Sequence, residues 1–305
     1  MPTRGATIER NQLLIETAET RAARTVAQAY NQARRELLAA LLERWPGNAG
    51  TLTPTQQADL LRRLSLLQTV DARLLELERT VGVALRDAVN SVSELAVEQI
   101  GRELALLPRY LRPEISQFAM LDTATVETFL PAVTDEIRTI TQATMAQLRR
   151  ELQSGLIQGE GFPQLVQRLM SATPSGTGPA VWRNGELSAE RMARRTVITA
   201  NNAAKEAALT KVNATQQITV QKQAVATIGP RTTKCCLRVH GQIRDVGQPF
   251  DLTAEPRFAR QMMHPAFHWN CRTSEVMYHP AFEQGGLTTE SMRGSAQAEL
   301  RRRGD

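Results

Sequence analysis

The fold class follows from residues 11–45, whose sequence is NQLLIETAETRAARTVAQAYNQARRELLAALLERW. Apolar side chains recur along this stretch at steps of three or four residues, from Leu14 to Trp45. One face of an α-helix repeats with the same period, so the stretch predicts a single long helix with one buried stripe. Pro46-Gly47-Asn48 follows the stripe, and this combination predicts the end of the helix.

The helical period continues through most of the chain before residue 214. It predicts further helices at 54–67, 71–107, 131–158, 162–170 and 188–213. Residues 217–228 alternate apolar and polar side chains and predict a strand or two. His240-Gly241-Gln242 predicts a turn between short strands, and residues 249–265 predict a loop. The predicted fold class is therefore mainly α: an elongated N-terminal helical bundle or hairpin, followed by a small C-terminal α+β module.

Three domains are predicted along the chain. Residues 171–186 concentrate Ser, Thr, Gly and Pro, which is typical of a linker. They separate a long-helix docking region at 1–187 from the module at 188–283, and residues 284–305 predict a polar, flexible tail. Aromatic side chains are only 4% of the chain. The long Leu, Val and Ala helices are therefore expected to pair with each other or to pack on another chain.

Composition places the chain among globular proteins and excludes several other classes. The 305 residues are 42% hydrophobic and 22% charged, which excludes collagen-like, disordered and disulfide-scaffold proteins. No run of 18 apolar residues occurs, so no membrane span is expected. The N-terminus lacks the apolar segment of a secretory signal, and three cysteines suit synthesis in a reducing compartment.

The net charge of +6 is unevenly distributed. Residues 1–107 are balanced, residues 108–186 carry one excess negative charge, and residues 187–305 carry seven excess positive charges. A basic C-terminal third is typical of a surface that contacts nucleic acid or an acidic protein partner. The residues expected to make those contacts are Arg194, Arg195, Lys205, Lys211, Arg231, Lys234, Arg238, Arg244 and Arg272.

All three cysteines and all four histidines lie between residues 235 and 279. Two pairs of ligands about 30 residues apart are the layout of a structural zinc site, because Zn²⁺ favours four thiolate or imidazole ligands. The predicted ligands are Cys236, His268, Cys271 and Cys235, with His264 or His240 as alternative fourth ligands. Two other interpretations remain open: buried free thiols beside a core histidine, and a metal-dependent nuclease or effector.

Several short motifs in the last third of the chain form a recognisable combination. An Arg-Thr step at residues 231–232 precedes Cys236, which stands five residues before Gly241, and Phe250 supplies an aromatic side chain after the turn. The segment 265–272 reads Pro-Ala-Phe-His-Trp-Asn-Cys-Arg. Upstream, Met-Ala-Arg-Arg-Thr at 192–196 is followed by Asn-Asn-Ala at 201–203.

This combination resembles the tailed-phage head morphogenesis family, the minor head proteins similar to the F protein of phage Mu. The resemblance covers about residues 188–280. Thr273 stands in the place of the family's last cysteine, and Thr233 stands where some members have a first cysteine. The upstream residues 1–187 share only their long helices with the family.

The resemblance implies a minor capsid protein of the phage head without enzyme activity of its own. Such a protein would be made in the host bacterial cytoplasm and incorporated in the virion, inside the head at the portal, in several copies. It would assist procapsid assembly, DNA packaging or DNA ejection. The implied partners are the portal protein, the capsid interior or scaffold, and double-stranded DNA bound without sequence preference. The alternatives are a metal-dependent nuclease and a free-standing helical DNA-binding or scaffolding protein.

Overall fold

The structure is a computed structural model. It describes residues 3–44, 53, 55–56, 66–112, 128, 130–158, 160, 164–167, 181–215, 218–252, 259–284 and 287–304. Four long helices dominate this part of the chain. They are α1 (Arg4–Arg44), α2 (Leu66–Leu104), α3 (Leu130–Ile157) and α4 (Val181–Thr215). The predicted mainly α fold with a small α+β module is confirmed.

The buried stripes of the long helices follow the period read from the sequence. In α2 the side chains of Leu74, Leu77, Val81, Leu85 and Val89 are each no more than 2% exposed. Full burial of such a side chain stabilises a fold by about 1.5–3 kcal/mol. The apolar stripe, rather than helix propensity alone, therefore accounts for a helix of this length.

The predicted linker at 171–186 is wrong in its last part. Residues 181–186 form the first turns of α4, which therefore begins seven residues before the predicted start at Ser188. Val181 and Trp182 are buried, so their packing extends the helix in spite of the Asn184-Gly185 break signal. Several other predictions lie outside the described residues: the linker at 171–180, the Pro46-Gly47-Asn48 break, and most of the predicted helices at 54–67 and 162–170.

The C-terminal module is built on a three-stranded antiparallel sheet. Its strands are β1 (Gln221–Ala226), β2 (Ile243–Asp245) and β5 (Thr273–Tyr278), in the order β2-β1-β5. Gln223 of β1 is opposite Ile243 on one side and Val276 on the other. A two-stranded ladder pairs β3 (Phe250–Asp251) with β4 (Gln261–Met262), inside the segment predicted as loop.

Two short helices complete the module. Helix α5 (Lys234–Val239) occupies the position where the sequence predicted a strand before the His240 turn. Helix α6 (Thr289–Arg302) replaces the predicted flexible tail. Thr288 caps α6 by accepting a hydrogen bond from the Ser291 amide at 3.1 Å, and Met292 and Ala296 are buried. The prediction of a flexible tail is therefore wrong for these residues, because a capped helix with a small apolar face packs on the module.

Contacts divide the chain into two compact units that are discontinuous in sequence. The sheet unit comprises Met1–Arg21, Arg86–Pro131 and Ala193–Asp305, and the helical unit comprises Ala22–Leu85 and Ala132–Met192. The units thus do not divide the chain at the predicted boundary between residues 187 and 188, which lies within α4. Among the described residues, no helix combines the length and the apolarity that crossing a bilayer requires.

Candidate metal centre

Two segments of the sheet unit bring the Cys/His group together. Helix α5 carries Cys235 and Cys236, and the loop between β4 and β5 carries His268 and Cys271. Adjacent cysteines in a strand would point to opposite faces, but neighbours in a helix are separated by only about 100°. The sulfurs of Cys235 and Cys236 and a ring nitrogen of His268 all lie within 4.8 Å of one another.

The distance between two sulfurs of this group suits a tetrahedral zinc ion, while the sulfur–nitrogen distance is that of a hydrogen bond. The Cys236 sulfur lies 3.7 Å from the Cys271 sulfur. This agrees with the separation of about 3.8 Å between two thiolates bound to one Zn²⁺ at Zn–S bonds of about 2.3 Å. The Cys236 sulfur also lies 3.0 Å from Nε2 of His268. The donors of Cys235, Cys236 and His268 therefore form a compact set of three candidate zinc ligands, and the Cys271 sulfur adjoins this set at Cys236.

Hydrogen bonds orient the imidazole of His268. Its Nδ1 lies 2.7 Å from the carbonyl oxygen of Trp269, so Nδ1 carries the proton and Nε2 is the nitrogen left for a ligand. The Thr233 hydroxyl lies 2.8 Å from Nε2 and 3.2 Å from the Cys235 sulfur. Asn270 has a φ of 57°, a left-handed conformation that Asn tolerates, and it turns the chain between Trp269 and Cys271.

The thiols in the group have unequal proton affinities. The hydrogen bond from Cys236 lowers the pKa of Cys235 to about 6, against burial, which acts in the opposite direction. Burial would raise the pKa of Cys271, but hydrogen bonds from Cys236 and His268 hold it well below its ordinary value. Hydrogen bonding with Cys235 and Cys271, together with burial, raises the pKa of Cys236. The group thus favours thiolate at two sulfurs, the form that binds metal.

The structure does not bring the two alternative ligands to this group. Nδ1 of His240 accepts a hydrogen bond from the Ala226 amide at 2.9 Å, and burial lowers the pKa of His240 to about 4. The Nδ1 atom of His264 lies 3.1 Å from the carbonyl oxygen of Pro265. His240 and His264 are therefore not supported as a fourth ligand, whereas the Cys271 sulfur lies beside that of Cys236.

The basic residues predicted to contact DNA or a partner separate into different environments. The prediction that Lys205 contacts DNA or a partner is wrong, because its side chain is fully buried and its Nζ donates to the Glu275 carbonyl oxygen at 2.8 Å. Arg244 is half-buried and donates to the Pro249 carbonyl oxygen. Arg238 is exposed on α5, beside a separate cavity. Lys211 and Lys234 are half-buried.

The remaining basic residues surround one cavity next to the Cys/His group. We call it the basic cavity; its volume is about 710 Å³. Arg194, Arg231 and Arg272 line it together with Cys236 and His268. The Arg195 guanidinium lies 4.6 Å from the ring centroid of Trp269, which also lines the cavity. The Cys/His group and these basic residues therefore belong to one candidate site.

Four residues of this site were missed by the sequence analysis as site residues: Glu19, Thr233, Trp269 and Thr273. Glu19 is buried and pairs with Arg194 at 3.4 Å; burial raises its pKa, while Arg194 lowers it. No local signal marks Glu19, because it reaches the site from α1. The sequence did mark Thr233 and Thr273, because each stands where members of the head morphogenesis family have a cysteine.

Residues 146–276 match the model of a protein family described as Phage Mu protein F like protein. The match includes the end of α3, all of α4, and the complete Cys/His group, and it covers less than half of the chain. Searches of curated proteins and of solved structures found no match. The motifs of the last third had indicated the same family, and the segment from residue 146 to residue 276 is similar to the Phage Mu F-like family.

Proposed function

We propose that this chain is a phage head morphogenesis protein, a minor capsid protein that associates with the portal inside the head. It assists procapsid assembly, DNA packaging or DNA ejection. The family match over residues 146–276 is the observation that carries this proposal. The long helices of the chain supply the docking region for the portal or the inner shell, and a role inside the head requires a surface that tolerates densely packed DNA.

The rim of the basic cavity is the proposed DNA contact. Arg231 and Arg272 are exposed there, and neither forms an ion pair within the part of the chain that the structure describes. Guanidinium groups bind phosphate through paired N–H donors. Contacts to phosphate carry no sequence information, so duplex DNA would be bound without sequence preference.

Zinc is the proposed cofactor, held by Cys235, Cys236, His268 and Cys271. When bound, the ion would cross-link α5 to the loop before β5 and so stabilise a module with short strands. The group is buried, and within the described residues it contains no carboxylate. A buried, sulfur-rich donor set is typical of closed structural sites, whereas catalytic zinc sites keep one position open to water.

Co-sedimentation with the portal protein of the same phage tests the docking proposal. The full chain is expected to pellet with assembled portal in low salt and to stay in the supernatant without it. Failure to pellet would contradict portal association. A plasmid-nicking assay runs in parallel on the wild type and on His268→Ala. Metal-dependent nicking that is lost in His268→Ala would overturn the structural role and establish the nuclease alternative.

A further inference from the structure

The basic cavity has the size of a pocket for a small ligand. Its volume of about 710 Å³ falls within the range of about 300–1,000 Å³ that small-molecule and cofactor sites occupy. A DNA duplex is far too wide to enter such a space, because its major groove alone is about 12 Å across. A duplex could contact only the rim, so the interior fits a smaller chemical group.

The charges of the lining favour an anionic ligand. Three guanidinium groups line the cavity against a single carboxylate, that of Glu19. Glu19 forms its ion pair with Arg194 and also feels the charge of Arg272, and both Arg231 and Arg272 are exposed at the cavity. Two guanidinium groups that line the same pocket suit a phosphate, whose oxygens accept paired hydrogen bonds.

A buried hydroxyl offers a second, independent sign of a ligand. Thr273 is only 1% exposed and lines the cavity, and its Oγ1 has no hydrogen-bond partner among the described residues. A buried polar atom without a partner costs about 1–3 kcal/mol. A ligand inside the cavity would supply the missing hydrogen bond.

An aromatic side chain stands at the mouth of the cavity. Trp269 is 43% exposed, which is unusual for the largest apolar side chain, and the guanidinium of Arg195 lies over its ring. The hydrogen bond between His268 Nδ1 and the Trp269 carbonyl oxygen fixes this part of the loop. An exposed aromatic ring beside cationic groups is the arrangement by which proteins bind unpaired nucleotides, since every base has a face that can stack.

We propose that the basic cavity binds an unpaired nucleotide of a DNA strand, with the phosphate on Arg231 and Arg272 and the base against Trp269. The proposal rests on the DNA contact proposed above and adds to it a preference for single-stranded DNA or a frayed end. An acidic peptide would use the two arginines but would gain little from the indole ring.

Fluorescence anisotropy with two labelled DNAs tests the preference. The probes are an eight-nucleotide oligo(dT) and a 20-base-pair duplex closed by hairpins at both ends. Trp269→Ala is expected to weaken oligo(dT) binding about tenfold and duplex binding less than twofold, because only an unpaired base can stack. Arg272→Ala should weaken both. Trp269→Phe, which keeps an aromatic ring, should remain within about threefold of the wild type.

Arg238→Ala is the matched control: the sequence alone predicted Arg238 as a contact like Arg272, but Arg238 is exposed in the same unit without lining the basic cavity. It should change oligo(dT) binding less than twofold. Equal weakening of both DNAs by Trp269→Ala would overturn the nucleotide pocket while leaving the duplex contact intact. Equal effects of Arg238→Ala and Arg272→Ala would overturn both, and so would the absence of any DNA binding. Thermal unfolding of each variant confirms that it is folded.

Discussion

Lys205 illustrates at the residue scale how burial changes the role of a basic side chain. Its Nζ lies 3.9 Å from Glu103 Oε1 and donates to the Glu275 carbonyl oxygen. Glu103 also accepts hydrogen bonds from the Asn11 side chain and the Met277 amide. These contacts join α1, α2, α4 and β5, so a charge that looks like a DNA contact in the sequence instead holds the sheet unit together.

Replacing Lys205 with Met should separate stability from DNA binding. The substitution leaves the buried Glu103 without its cation, so the free energy of unfolding should fall by about 3 kcal/mol. DNA affinity, measured well below the unfolding temperature, should stay within about twofold of the wild type. Urea unfolding and anisotropy measure the two quantities.

Arg238→Met is the control for Lys205→Met. Arg238 is exposed, so the free energy of unfolding should change by no more than about 0.5 kcal/mol. A large loss of DNA affinity in a folded Lys205→Met variant would contradict the structural role of Lys205.

The zinc site makes a prediction that distinguishes among the histidines and cysteines. The full chain, purified with zinc present, should contain about one zinc ion per chain by elemental analysis. Cys236→Ser should reduce zinc to background, because the Cys236 sulfur contacts both Cys271 and His268. His264→Gln should retain the full zinc content. A wild-type chain without zinc, or equal loss in both variants, would show that these residues are not the ligands.

At the scale of elements, one glycine decides how closely three helices of the helical unit approach. A Cβ on Gly185 of α4 would lie 2.6 Å from Thr144 Oγ1 of α3 and 3.1 Å from a ring carbon of Tyr30 of α1. Such distances leave no room for a methyl group. The Asn-Gly pair that suggested a linker is therefore a contact point inside a helix.

Gly185→Ala should lower the free energy of unfolding by about 1–3 kcal/mol, since overpacking forces neighbours to move. Gly82→Ala is the matched control in α2 of the same unit, where a Cβ would meet nothing within 4 Å. That change should stabilise by up to about 1 kcal/mol, because alanine has the higher helix propensity. Denaturant unfolding of both variants measures these free energies. A Gly185→Ala variant as stable as Gly82→Ala would contradict the close approach of the three helices.

At the scale of the whole molecule, the fold redistributes the charge that the sequence concentrates near the C-terminus. Within the sheet unit, residues 1–21 are balanced, residues 86–131 carry three excess negative charges and residues 193–305 carry seven excess positive charges. The unit therefore has a net charge of +4. Its general charge is modest, so DNA affinity should depend on the arginines around the basic cavity more than on the total.

The salt dependence of duplex binding distinguishes binding by the arginines around the basic cavity from binding by the total charge of the sheet unit. The two proposed phosphate contacts, Arg231 and Arg272, predict a slope of about −2 for the logarithm of the association constant against the logarithm of the salt concentration. Arg272→Ala should make the slope less steep by about one. If Arg238→Ala changed the slope equally, the total charge rather than the cavity would control binding.

The sequence by itself determined the helices and the similarity of residues 146–276 to the Phage Mu F-like family. The stripe of α2 and the motif at 265–272 are local patterns, and a period of 3.6 residues or a fixed spacing can be recognised without knowing what packs against it. The clustering of Cys and His also indicated the metal centre, because ligands in two short segments leave few ways to meet.

Only the tertiary structure decided which of those residues share a site and how the chain divides into units. Lys205 and Arg272 look alike in the sequence, but one is buried and the other is exposed at the cavity. Glu19 joins the cavity from a helix nearly two hundred residues away in the chain, a distance that local patterns do not span. Burial and long-range contact depend on how helices and strands pack, and packing is a property of the whole fold rather than of any segment.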